Sequence, residues 1–242
     1  MHLILDIGNT RIKGGIFEQA HLTEAETFTA MTPEDLTAWV QPFRISRAMI
    51  SATGSIPEWL PGWLDAMVPW MELDHHTPLP FTNAYRTPET LGRDRIAGLA
   101  GALALGYQPP FLVIDAGTCI TVDLLEEGLL YRGGSISPGL RMRLQAMHSF
   151  TARLPLAEWQ DDPPWPGTDT AGALLAGAQW GGICELEGMI TRYRQKHPNL
   201  NVIVTGGDLV FLANHLNSVI FAHPELVLIG LNQILTYAFD AG

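Results

Sequence analysis

One short pattern occurs twice in this chain, and it constrains the fold more than any other feature. His2-Leu3-Ile4-Leu5 runs into Asp6-Ile7-Gly8-Asn9-Thr10, and Phe111-Leu112-Val113-Ile114 runs into Asp115-Ala116-Gly117-Thr118-Cys119. Each copy reads as a buried apolar strand, then an Asp, then a tight turn carrying hydroxyl or amide side chains. The two aspartates stand 109 residues apart in a chain of 242, close to half its length. That spacing predicts two similar half-domains, each offering a loop of the kind that holds phosphate.

Composition bounds the partners. A chain of this length can bury a real core, and its 47 % apolar content excludes general disorder. The formal net charge of −11 argues against nucleic acid or an anionic membrane as the main partner. Lysine occurs only as Lys13 and Lys196 while the other twelve basic residues are arginines, so a lysine inside the first loop stands out. Two cysteines, Cys119 and Cys184, cannot build a disulfide framework or a Cys-rich metal site. A reduced, cytoplasmic location is therefore expected. No basic region followed by a long apolar stretch is found near Met1, so no signal peptide is read. The longest nearly uncharged helical run, Ile96 to Tyr107, is too short to span a bilayer.

Strands and helices alternate along the rest. Arg11 to Phe17 reads as the hairpin partner of the first strand. Thr32-Pro33-Glu34-Asp35 carries an N-cap and a first-turn proline, opening a helix to about Val40. Ala48 to Ser51 reads as a strand, and Pro57 to Met67 as a short helix or irregular turn. Arg93 to Leu105 is a helix made almost wholly of Ala, Gly and Leu, which permits close backbone packing. Pro109-Pro110 ends it and sets the domain boundary, giving halves 1–110 and 111–242. Gly133 to Gly139 is expected to be a tight loop, and Pro155 to Asp169 a surface loop. Thr170 to Lys196 reads as a long helix interrupted near Gly181-Gly182, Asn201 to Val204 as a strand, and Pro224 to Phe239 as a closing helix. The alternation indicates an α/β fold.

Phosphoryl transfer needs a carboxylate to hold a metal, N–H groups for phosphate oxygens, and a cation to offset charge. In the first loop Asp6 suits the metal, Gly8 lets backbone approach the phosphates, Asn9 and Thr10 add donors, and Lys13 reaches the outer phosphates. A single copy reads equally well as an ordinary hairpin; the second copy favours the phosphate reading. Thr118 would meet the same phosphates from the other loop, and Thr205-Gly206-Gly207 after a strand reads either as an ordinary turn or as a third backbone surface, for the nucleoside. Gly92-Arg93-Asp94-Arg95 opens the small-residue helix. There Asp94 is either a capping carboxylate favoured by the helix dipole or a base for a substrate hydroxyl, beside guanidinium groups that bind an anionic substrate. Asp74-His75-His76 lacks a distant ligand set and is not read as a metal site. His148 and His215 are read as structural or exposed, and Cys119 as a packed thiol.

These residues resemble type III pantothenate kinases, in the acetate-kinase, sugar-kinase and actin superfamily. The carrying segments are Asp6 to Lys13, Gly92 to Arg95 with Tyr85 seven residues before Gly92, Asp115 to Thr118, Gly133 to Gly139, and Thr205 to Gly207. The resemblance covers nearly the whole chain. It implies two RNase H-like halves with a nucleotide cleft between them, and ATP-dependent phosphorylation of pantothenate toward coenzyme A. It implies Asp6, Gly8, Asn9, Thr10, Lys13 and Thr118 as ATP contacts, with Asp6 on Mg²⁺ directly or through water. Asp94 would accept the proton of the pantothenate hydroxyl; Tyr85, Gly92, Arg93, Asp94 and Arg95 would line its pocket, an arginine binding its carboxylate. Asp115 would sit at a site for a monovalent cation, potassium or ammonium, and Thr170 would reach substrate across a homodimer interface. Two positions depart from the family pattern: Arg93 stands where a small residue is usual, and Cys119 where Ala or a similar residue is. The rival readings are another small-molecule kinase of the superfamily and a non-catalytic accessory factor in transcription.

Overall fold

The computed structural model describes residues 1–240. In the first half, β1 (His2–Ile7), β2 (Ile12–Glu18) and β3 (His21–Phe28) form an antiparallel meander. A helix α1 (Pro33–Val40) leads to β4 (Arg47–Ala52), and α2 (Leu60–Met67) leads to β5 (Trp70–Glu72). Both later strands add in parallel, giving the order β3-β2-β1-β4-β5. The first helix starts where its sequence predicts. The Thr32 hydroxyl accepts from Asp35 N–H at 3.1 Å and the Asp35 carboxylate accepts from Thr32 N–H at 3.1 Å, a reciprocal capping box. Leu3, Leu5, Ile7 and Ile50 of the sheet pack with Leu36, Val40, Leu60 and Leu64 of the two helices.

After a two-residue β6 (Thr82–Asn83) comes α3 (Arg93–Ala104), and then the pattern repeats. The strands β7 (Phe111–Ala116), β8 (Cys119–Glu126) and β9 (Leu130–Pro138) are followed by α4 (Leu140–Ser149), α5 (Thr170–Leu175) and α6 (Gly181–Arg194). Then come β10 (Asn201–Thr205), α7 (Leu209–His215), β11 (Phe221–Ala222) and α8 (Leu226–Asp240). Here the run β9-β8-β7-β10-β11 repeats the order of the first half, with β7–β8 antiparallel and β7–β10 and β10–β11 parallel, and β6 adds beyond β9 as a sixth, parallel strand. The doubled motif therefore marks a doubled RNase H-like sheet, with each Asp at the end of its first strand.

Two compact units emerge. One holds Met1–Gln108, Gly128–Arg132 and the chain from Glu225 onward; the other holds Pro109–Glu127 and Gly133–Pro224. Within the first, α8 packs on α3, so the closing helix returns to the unit in which the chain began. No helix among the described residues is long and apolar enough to cross a membrane.

Three readings change. The segment from Gly133 to Gly139 is strand β9 as far as Pro138, not a tight loop. Its exposure alternates residue by residue, and Gly134 presses so close to the Val122 carbonyl that no Cβ would fit. Glycine serves strand approach there, and only Gly139 turns the chain. The break in the long second-half helix is a π-helical turn over Ala176–Trp180, just before Gly181. Strand β3 and helices α4 and α7 had no counterpart in the sequence reading.

Candidate active site

Asp6 lies across from Lys13 on β2 and from Ser51 on β4, so strand register alone gathers a carboxylate, an ammonium and a hydroxyl. The loop after it is held tightly. Gly8 N–H donates to the Arg11 carbonyl at 3.0 Å, and the Ile7 carbonyl accepts from Thr53 N–H and Gly54 N–H, each at 3.0 Å. Gly54 lies flat against Gly8: a Cβ at that position would come within 2.5 Å of the Gly8 carbonyl oxygen. Asn9 and Thr10 remain exposed at the tip. Burial pushes the Asp6 carboxyl up to about 6, and the nearby Asp94 carboxylate adds to the rise. The Ser51 hydroxyl and the Lys13 ammonium oppose it. Asp6 and Asp94 thus form a pair of carboxylates in need of positive charge. Among the described residues no group of three or more His, Cys, Asp or Glu could hold a metal ion. A divalent ion at Asp6 would complete its shell with phosphate oxygens and water, which suits Mg²⁺.

Asp94 sits in the first turn of α3, and its Oδ1 accepts from Arg95 N–H at 2.9 Å. Gly92, the N-cap, makes room for that carboxylate: a Cβ there would lie 2.5 Å from Asp94 Oδ1. The two flanking arginines part company. Arg93 turns onto backbone, with Nε donating to Leu73 O at 3.1 Å and Nη1 to Leu91 O at 2.8 Å. Arg95 is buried and stands over the Tyr85 ring at 5.6 Å. Tyr85 in turn stacks on the buried Tyr131 at 6.1 Å, with planes 7° apart, and Phe81 meets Tyr131 edge-on at 6.3 Å. Tyr131 thus joins the Tyr85–Arg95 group, although no local pattern in the sequence singles it out.

In the second unit, Asp115 lies across from Thr121 on β8 and Thr205 on β10. Three turns converge on its loop. Gly117 N–H donates to Cys119 O at 2.9 Å, Gly139 N–H to Thr118 O at 3.1 Å, and Asp208 N–H to Ala116 O at 2.9 Å. Gly206 adopts φ +97°, a conformation that favours glycine, and a Cβ there would come within 2.5 Å of Asp115 Oδ1. Thr118 is exposed, as is Cys184; Cys119 is exposed too, beside the second loop, and is not the packed thiol expected from the sequence. Gly139 caps α4, so the N-terminus of a ten-residue helix is built onto the Gly117-Thr118 turn, an arrangement suited to anions. The repeat reaches further than its two aspartates. Ser51 and Gly54 stand to the first loop as Thr205 and Gly206 stand to the second, yet only the second pair was singled out in the sequence.

Thr170 is exposed at the start of α5, next to the N-cap Asp169, whose Oδ1 accepts from Gly172 N–H at 2.7 Å. The Asp74-His75-His76 segment is a turn: Asp74 Oδ1 accepts from His76 N–H and Thr77 N–H, both at 2.9 Å. His148 and His215 each place Nδ1 2.8 Å from a backbone carbonyl, of Leu154 and Phe211 respectively.

A sequence model of the type III pantothenate kinase family matches residues 2–192. A type III pantothenate kinase from Bacteroides fragilis is 42 % identical over 238 residues, covering 98 % of this chain and 98 % of that one. Among solved structures, a candidate Baf family transcriptional activator from Campylobacter jejuni aligns with a TM-score of 0.59 at 20 % identity, over 98 % of this chain and 99 % of that one. A candidate N-acetylmannosamine kinase from Listeria monocytogenes aligns at 0.55 with 14 % identity, over 98 % and 99 %. At such identities the structural likeness carries the α/β fold alone. The match over residues 2–192 and a full-length relative at 42 % identity carry more: the chain belongs to the type III pantothenate kinase family.

Proposed function

We propose that this chain transfers the γ-phosphoryl group of ATP to the primary hydroxyl of pantothenate, the first step of coenzyme A biosynthesis. Beyond family membership, one observation supports the reading: the Asp94 carboxylate at the α3 N-terminus lies near enough to raise the pKa of Asp6 at the phosphate loop. Asp94 accepts the hydroxyl proton as the new O–P bond forms and the bond to ADP breaks. A weak base suffices because the transition state is loose. Gly8, Asn9, Thr10 and Lys13 hold phosphate oxygens of ATP, and Thr118 of the second loop is a further ATP contact. Asp6 holds Mg²⁺, directly or through water, and the metal when bound offsets charge on the transferring group. Arg95, steadied by Tyr85, binds the pantothenate carboxylate. Arg93, with its donors on Leu73 and Leu91, shapes the pocket from behind. Asp115 serves a monovalent cation, and Thr170 completes the pocket of a second copy in a cytoplasmic homodimer.

The test is ADP release from purified protein with Mg²⁺-ATP, with and without pantothenate, in potassium and then in sodium buffer. Turnover should require pantothenate and run faster in potassium. Folded protein that binds ATP and turns over a hexose instead would replace the acceptor. Equal rates in the two salts would remove Asp115 from a cation site.

A pH dependence follows from Asp6. The phosphate loop needs its carboxylate form, so kcat/KM for Mg²⁺-ATP should fall as pH drops through about 6, where the buried Asp6 takes up a proton. A profile that stays flat down to about pH 4.5, near the ordinary carboxylate range, would take Asp6 out of that role.

A further inference from the structure

We infer that the Arg143–Glu185 ion pair is a positioning device for the second phosphate loop, resting on the reading of Thr118 as an ATP contact. Arg143 lies in the second turn of α4, and three of its nitrogens reach back to the residues before the helix. Its backbone N–H donates to Gly139 O at 3.0 Å, its Nε donates to Pro138 O at 2.9 Å, and its Nη2 lies 3.5 Å from Ser137 Oγ. The same Nη2 donates to Glu185 Oε2 at 2.6 Å, which ties the group to α6. From the turn the contact passes on: Gly139 N–H donates to Thr118 O at 3.1 Å, and its Cα packs so closely on the Gly117 and Thr118 carbonyls that no Cβ would fit. Helix α6 therefore sets Thr118 through Glu185, Arg143, Pro138 and Gly139, and every link lies within one unit.

The energetics point to geometry rather than stability. The two side chains are only 19 % and 27 % exposed, so both charges carry a desolvation cost. Glu185 Oε1 is buried with no hydrogen-bond partner among the described residues, which adds to that cost. Such a pair is a poor stabiliser. What a guanidinium supplies here is a rigid fork, one nitrogen fixed on a carbonyl and another on a carboxylate. A lysine ammonium also has several donors, but it is a compact charge on a flexible stem and cannot hold the two acceptors in this fixed, planar geometry.

Three variants of the full chain test this by steady-state kinetics and thermal melting: Arg143→Lys, Glu185→Gln and Thr118→Ala. Arg143→Lys should raise the KM for ATP about tenfold, a loss of one hydrogen-bonding fork. It should leave the KM for pantothenate within about twofold and the melting temperature within a few degrees. Glu185→Gln keeps an acceptor and should raise the ATP KM less, about threefold. Thr118→Ala should also raise it. A normal ATP KM in Arg143→Lys beside a raised one in Thr118→Ala overturns the positioning role and leaves the ATP reading standing. A parallel change in both KM values with a lowered melting temperature overturns it too, since that marks a structural pair. Normal ATP KM values in all three variants overturn the ATP reading together with the inference.

Discussion

Asp94→Asn should lower kcat by roughly a hundredfold to ten-thousandfold, the range for loss of a general base, while the protein stays folded and still binds ATP. The amide is nearly isosteric with the carboxylate. Its oxygen can still accept from Arg95 N–H, so the 2.9 Å bond at the α3 N-terminus survives the change. Gly92 leaves room for either group. What is lost is the capacity to take a proton and one negative charge near Asp6. That charge is the second cause of the raised Asp6 pKa, after burial. A further consequence therefore separates this change from simple damage. The pH at which Mg²⁺-ATP binding weakens, expected in the wild type where Asp6 titrates at about 6, should move lower in the variant, because Asp6 has lost a repelling neighbour. The measurements are kcat by coupled ADP release, and ATP affinity by calorimetry across pH 4.5 to 7.5. A variant retaining a tenth or more of wild-type kcat would remove Asp94 from the base role. An unshifted binding midpoint would mean that Asp6 and Asp94 do not sense each other.

Much of this arrangement was legible because duplication makes local signals repeat. Asp6 and Asp115 each end a run of apolar residues and precede a glycine turn, and both prove to sit on the central strand of the same five-strand order, to which the second sheet adds β6 at its edge. Thr32-Pro33-Glu34-Asp35 was legible for a different reason: a capping box is made of neighbours in sequence, so its chemistry is local. Where contacts are distant, the sequence is silent. Tyr131 meets Tyr85 only because β9 pairs with β6, with Asn83 beside Tyr131 in the register. Arg93 and Arg95 are two residues apart, so nothing local says which one turns onto carbonyls and which faces a ring. Strand β3 escaped notice because it is mostly exposed and polar, with no apolar alternation to mark it. Helix α4 escaped because its N-cap is Gly139, which offers no capping side chain and reads as a loop residue. Glycine is ambiguous in sequence because it serves turns and close approaches alike, and Gly134 serves the second.

The same ambiguity separates two helical glycines sharply. Gly230 in α8 faces α3 so closely that a Cβ would overlap the Ala97 carbonyl and lie 2.7 Å from Gly101 N. Gly101 is the reciprocal contact, lying against the Leu226 carbonyl. These obstacles are backbone atoms, which cannot swing aside as a flexible side chain can, so the helices must separate. Gly188 in α6 is exposed, and a Cβ there would meet nothing within 4 Å. Replacing glycine by alanine in a helix gains up to about 1 kcal/mol in propensity when nothing opposes it. Gly188→Ala should therefore stabilise the protein by about 0.5–1 kcal/mol. In Gly230→Ala the same gain is outweighed by overpacking, for a net loss of about 1–2 kcal/mol, and Gly230→Val should lose about 3 kcal/mol or more. Urea unfolding of the three variants reads the sign directly. The Val variant should also lose activity, because α3 carries Asp94 at its N-terminus and can yield only by moving. A neutral Gly230→Ala would mean that the two helices separate at no cost, and the Ala- and Gly-rich composition of α3 would then need another cause.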